Sequence, residues 1–210
     1  LPDISLLGRK LTKIKPPGVR YPEAVKDMTD NEKIEFGESY LETSKRYRTN
    51  KTHFIDKMPN NFAHIGFIKT ILPNAKIINA KRHPLDSCVS SFKQLFYKGQ
   101  SWSYDIFEIG EYYLEYERLM KYWHEIYPGE IYDIQYESLI ENQEEESRKL
   151  IEYCALDWEE SCLEFYKNKR SVNTASSEQV RQPIYKGAMN AWRNYESEIG
   201  PLIEMLDPIL

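Results

Sequence analysis

A chain of 210 residues with 41% hydrophobic content can bury one real core, which excludes global disorder. A formal net charge of −5 argues against nucleic acid as a partner through an overall basic field, although Lys76, Lys81 and Arg82 leave room for a local basic cleft. Cys88, Cys154 and Cys162 are odd in number and match no zinc spacing, and no apolar run approaches the ~20 residues of a membrane span, so the expected setting is reducing and cytoplasmic, with no disulfide, metal or membrane.

Leu1-Pro2-Asp3-Ile4 lacks the basic and apolar regions of a signal peptide, and the missing initiator Met reads as a processed, truncated or partial chain. The opening, through Pro16-Pro17-Gly18 and Pro22, reads as irregular. Thr29-Asp30-Asn31-Glu32 is a capping box and predicts a helix to about Arg48, with Gly37 as an awkward interior residue. His53-Phe54-Ile55-Asp56-Lys57 reads as a short strand, followed by a loop at Met58-Pro59-Asn60 and an amphipathic helix over 61–72. Lys76-Ile77-Ile78-Asn79-Ala80 reads as a second strand, its apolar run suggesting burial on both faces. His83-Pro84 turns into a helix over 85–96, since Pro suits the first helical position. A long helix follows from about 104 to 126, broken by Pro128-Gly129. A third strand covers 131–136, then a helix covers 141–153, and Asp157-Trp158-Glu159-Glu160 predicts the cap of another. The stretch 171–185 is polar and irregular, and two short helices near 189–197 and 200–206 end the chain. Strands alternating with helices imply an α/β fold with parallel strands, and ligands bind such sheets beyond the strands' carboxyl ends. Those ends carry Lys57, Arg82 and Tyr136.

Arg82 is delivered at a strand end just where a helix begins, and a helix's first turn has unpaired N–H groups and the positive end of its dipole. Ser90, eight residues on and about two turns into that helix, can add a hydroxyl to the same anion. The plainer alternative is an Arg82–Asp86 pair with Ser90 as a small packing residue, and both readings stay open at this level. Lys57 before a Pro-containing loop suits stabilisation of charge on a leaving oxygen, against the alternative of a solvated lysine. Tyr136 could stack on a base or donate to a phosphate, or be an ordinary core tyrosine. The segment 176–187, with Arg181, Tyr185 and Lys186, mixes cations and donors as anion-capturing loops do. Trp192 reads as packing, the four histidines have no metal-ligand spacing, and Cys88 has no His–Asp partner to make it a nucleophile.

Arg82-x-Pro84-x-Asp86-x-x-x-Ser90 after an apolar strand resembles the 3′-phosphate element of sulfotransferases that use 3′-phosphoadenosine 5′-phosphosulfate (PAPS), with His83 where that family usually has Asn. Asp56-Lys57-Met58-Pro59 resembles the family's lysine loop, 135–139 its strand with a nucleotide-contacting Tyr, and 176–195 its cofactor-closing loop. The nearest branch is the bacterial type often fused behind tetratricopeptide repeats, with tyrosylprotein sulfotransferases more distant. The family's Gly-rich loop for the 5′-phosphosulfate and its Glu base have no counterpart between Leu1 and Leu210.

The resemblance implies a P-loop-NTPase-like parallel sheet flanked by helices, without its first strand and with a helical C-terminal part, as one N-terminally incomplete domain over 1–210. It implies transfer of a sulfuryl group from PAPS to a hydroxyl or amine of a small-molecule, glycan or peptide acceptor, with adenosine 3′,5′-bisphosphate as product and no metal. Lys57 is then the catalytic residue, and Arg82, Ser90, Tyr136, Arg181, Tyr185 and Lys186 hold the nucleotide. The alternatives are a non-catalytic remnant that binds a nucleotide or partner protein, and a P-loop-type kinase, which would need a Gly-x-x-x-x-Gly-Lys-Ser/Thr loop. Exposed sheet edges would also allow a homodimer.

Overall fold

The computed structural model describes residues 3–49, 51–96, 99–168, 179–184, 187 and 189–210. Tertiary contacts divide the chain into two compact units, Leu1–Ile77 with Leu119–Pro128 and Ile78–Arg118 with Gly129–Leu210.

The first unit opens on helix α1 (Ile4–Ile14), where irregular chain was expected. Asp3 caps it by accepting the Ser5 N–H at 2.8 Å. Ile4, Leu7 and Leu11 recur at three- and four-residue spacing and are all buried, so the helix is held by one apolar stripe, and the prolines at 16 and 17 act only after it has ended. Lys15, just past the helix, places its ammonium 2.7 Å from Glu32 and 2.8 Å from the Asp27 carbonyl, which ties the end of α1 to the start of α2 (Asp30–Ser44). The capping box of α2 is formed as expected: Thr29 Oγ1 accepts from the Glu32 N–H and Glu32 Oε2 accepts from the Thr29 N–H. The α-helix ends at Ser44 and continues only as a 3-10 turn over Lys45–Tyr47.

No strand forms at 53–57. Ile55 is 83% exposed, Phe54 packs on the core with the Arg48 guanidinium 4.7 Å from its ring centre, and Asp56 accepts the Tyr40 hydroxyl. Side-chain contacts, rather than a backbone ladder, hold this extended segment. A 3-10 turn at Pro59–His64 leads into α3 (Ile65–Ile71), whose Phe67 and Ile71 join Ile4, Leu7, Leu11 and Tyr40 in the core.

From Ile78 on, the second unit holds a sheet of two parallel strands, β1 (Ile77–Lys81) and β2 (Ile131–Gln135), flanked by helices. The helices are α4 (Pro84–Lys93), the first part of α5 (Ile106–Ile126), α6 (Tyr136–Glu141), α7 (Gln143–Tyr153) and α8 (Gly200–Leu206). Contrary to the expectation of burial on both faces, β1 alternates: Ile78 and Ala80 are exposed, whereas Asn79 and Lys81 are half-buried. The covered face is polar, because Asn79 donates to Asp133 at 2.8 Å and accepts from the Tyr116 hydroxyl at 2.9 Å, while Lys81 lies 3.3 Å from Glu117. The helix expected after Asp157 is reduced to 3-10 turns at Glu160–Cys162 and Phe165–Lys167. Trp158 is clasped instead, by the Arg148 guanidinium 4.1 Å above its ring and by Glu160, which accepts its indole N–H. The core gathers Leu85, Cys88 and Val89 of α4 with Ile109, Trp192, Leu202 and Leu206. Among the described residues, no helix is long and apolar enough to cross a membrane.

Candidate functional site

Two strand-to-helix corners lie side by side in the second unit. At the first, β1 passes through Arg82 and His83 into α4, with Pro84 opening the helix as the sequence predicts. At the second, β2 runs directly into α6 at Tyr136. Glu137 joins them by accepting the His83 backbone N–H at 2.9 Å. Burial disfavours the ionised Glu137 carboxyl, but hydrogen bonds from the backbone of His83, its own N–H and the Gln135 side chain outweigh this and hold it below the usual carboxylate range. The Arg82 guanidinium sits 5.4 Å from the Tyr136 ring centre, and the Tyr113 hydroxyl donates to the Arg82 carbonyl, so side chain and backbone are both positioned.

Asp86 has closer partners than Arg82. It is only 1% exposed, and its two carboxylate oxygens accept the backbone N–H groups of Asn190 (2.7 Å) and Trp192 (2.9 Å). Arg82 stands 3.9 Å away, at the edge of ion-pair distance. The carboxylate is therefore chiefly an anchor for the C-terminal segment. Trp192 is buried and stacks on His83 with ring centres 5.8 Å apart, in keeping with a packing role.

These elements wall a cleft of about 870 Å³, within the usual range of small-ligand sites. Arg82, Asp86, Val89, Ser90 and Lys93 line it from the first corner, Tyr136 and Leu139 from the second. Phe165, Val180, Gln182, Pro183, Ile184, Gly187, Ala191 and Tyr195 complete the wall. The structure thus brings Arg82, Ser90 and Tyr136 together, with the Ser90 hydroxyl on an exposed face of α4. Arg181 lies in the 3-10 turn Gln179–Arg181 between two lining residues and is itself exposed. Tyr185 and Lys186 lie outside the described residues. Lys57 is an exposed side chain of the first unit, in a loop rather than at a strand end. Sequence reasoning did not single out Lys93, although it falls one helical turn after Ser90, a spacing that puts the two on one face, and it included Tyr195 only as the end of the segment 176–195.

Cys88 is fully inside, and burial pushes its thiol up to about 12, so it stays protonated at neutral pH. A thiol-titrating disulfide reagent at pH 8 should modify the half-buried Cys154 and Cys162 in the native chain and reach Cys88 only on unfolding. Three thiols reacting at one rate without denaturant would contradict this burial.

Residues 9–160, more than two thirds of the chain, match the sulfotransferase family, and the matched span includes Lys57, Arg82, Ser90 and Tyr136. The chain is also similar to an uncharacterized protein of Aquifex aeolicus (strain VF5), with 35% identity over 206 residues. That alignment covers 97% of this chain but 27% of the relative, so the chain spans about a quarter of that protein's length. Because the match extends over more than two thirds of the sequence and takes in both strand-to-helix corners, this chain belongs to the sulfotransferase family.

Proposed function

We propose that the cleft binds the 3′-phosphoadenosine part of PAPS and that the chain serves transfer of a sulfuryl group to a hydroxyl or amine of a small molecule, glycan or peptide. The observation that carries this reading is the meeting of Arg82, Ser90 and Tyr136 around one cleft. The donor set fits the ligand. A guanidinium and a hydroxyl suit a phosphate, while the ring faces of Tyr136 and Phe165, with Leu139 and Ile184, suit a purine. Arg82 and Ser90 are assigned to the 3′-phosphate and Tyr136 to the nucleoside. Arg181, Tyr185 and Lys186 belong to the segment assigned to complete the nucleotide site. PAPS supplies an activated sulfuryl group, and the chain contributes binding, orientation and charge stabilisation, as in phosphoryl transfer. Lys57 is assigned to the charge that develops on the leaving phosphate oxygen.

Calorimetric titration with adenosine 3′,5′-bisphosphate tests the site. Arg82→Ala should weaken binding by about 2–3 kcal/mol, roughly thirty- to 150-fold, since hydrogen bonds to a charged group are lost. Arg82→Lys should fall between, because an ammonium keeps the charge without the planar fork. An affinity unchanged by Arg82→Ala would sink the assignment.

A further inference from the structure

Asp86, Val89, Ser90 and Lys93 are spaced so that they form one stripe along α4, and all four line the cleft. Asp86 and Ser90 have been given roles, and Lys93 at the far end of the stripe has not. Its Nζ donates to the Tyr195 hydroxyl at 3.0 Å and lies 4.9 Å from the centre of the same ring. Among the described residues Lys93 has no carboxylate within ion-pair distance, unlike Lys15 with Glu32, Lys81 with Glu117 or Lys149 with Glu145. A phenol and a ring face direct an ammonium without neutralising it. A lysine in the last turn of a helix commonly serves only the helix dipole. Here the Nζ turns instead to the segment carrying Tyr195.

That segment is fixed independently. Asp86 accepts the N–H groups of Asn190 and Trp192 at the start of the 3-10 turn Ala191–Tyr195. Its other end, Tyr195, meets Lys93. The stripe on α4 is therefore fastened to the C-terminal segment at both ends, and the ammonium is held on the cleft wall alongside the exposed Ser90 hydroxyl.

We infer that Lys93 is a second cation of the phosphate site, poised by Tyr195 and exchanging that neutral partner for the 3′-phosphate when nucleotide binds. The inference rests on reading the cleft as a 3′-phosphoadenosine site. A charge-assisted bond to phosphate is stronger than a bond to a phenol, so the exchange is favourable.

The test is calorimetry on the full chain with adenosine 3′,5′-bisphosphate and adenosine 5′-monophosphate, which differ at the 3′-phosphate alone. Lys93→Met should weaken the bisphosphate about ten- to hundredfold and leave the monophosphate within about twofold, since the lost bond involves only the 3′ group. Lys93→Arg, which keeps the charge, should retain most of the affinity, and so should Tyr195→Phe, which keeps the ring. Thermal melting of each variant separates lost binding from lost folding. A Lys93→Met protein that binds the bisphosphate as the parent does, or that loses both nucleotides equally, overturns the inference and leaves the nucleotide reading standing. Failure of the parent chain to bind the bisphosphate overturns the nucleotide reading itself, and this inference with it.

Discussion

Replacing Asp86 by alanine should lower the unfolding free energy by about 3–5 kcal/mol, because two hydrogen bonds to a charged group are lost and their donors are left behind. The carboxylate is 1% exposed and accepts from the Asn190 and Trp192 N–H groups at 2.7 and 2.9 Å. Asn190 has φ +56°, a left-handed conformation that Asn tolerates better than most residues, and Trp192 follows it into the core. With the carboxylate gone, water must reach these groups or the segment must lift from α4. Asp86→Asn should lose about half as much, since its amide keeps one acceptor oxygen but turns an N–H₂ toward a donor. Urea denaturation gives the stability difference. Amide hydrogen exchange gives the location, with protection at Asn190 and Trp192 expected in the parent and absent in the alanine variant. A stability within about 1 kcal/mol of the parent would show that the anchor is dispensable.

The second large effect runs against helix propensity. Gly37 lies inside α2, where alanine would ordinarily stabilise by about 1 kcal/mol. A Cβ built on Gly37 would stand 2.2 Å from the Ile71 carbonyl oxygen, the last residue of α3. The obstacle is backbone, so no rotamer change relieves it, and α2 and α3 would have to separate. Gly37→Ala should therefore destabilise the first unit by about 3 kcal/mol, the upper part of the range for overpacked cores. Far-UV circular dichroism during urea unfolding would measure it. A gain in stability would show that the helices yield more readily than this contact implies.

These two residues also indicate what the Arg-x-Pro-x-Asp-x-x-x-Ser pattern does physically. Its Arg and Ser line the cleft, its Pro starts the helix, and its Asp fastens a chain segment more than a hundred residues away that also lines the cleft. The motif thus sets both the strand-to-helix corner and part of the wall beside it. Tyr195 and Lys93 extend the same arrangement to the end of α4.

Several features that depend on neighbours in sequence were legible beforehand, although the local caps at Asp3 and Asp157 misled: the first opens an unexpected helix and the second opens no α-helix. The capping box at Thr29–Glu32 formed as predicted because both of its bonds lie within four residues. The corner from Arg82 through Pro84 to Ser90 was legible because strand, proline and helix start follow one another directly, and β2 could be read in the same way up to Tyr136. Features that depend on distant partners were not. The segment 53–57 has a strand's composition, yet its side chains find Tyr40 and Arg48 and no ladder forms. Gly37 looked like a weak point in a helix until Ile71 was placed against it, and the bonds from Asp86 to Asn190 and Trp192, closer than its contact with Arg82, had no signal in the sequence. Lys93 carried no signal beyond its spacing, since Tyr195 stands 102 residues away. By itself the sequence determined the helix starts at Asp30 and Pro84, the strand-to-helix corner at Arg82 and the family resemblance, set by short-range hydrogen bonding and backbone stereochemistry. Tertiary structure alone decided which charges are occupied and which face the cleft, because a carboxylate or an ammonium takes whatever donor or acceptor packing brings within 3 Å, and no local periodicity encodes that partner.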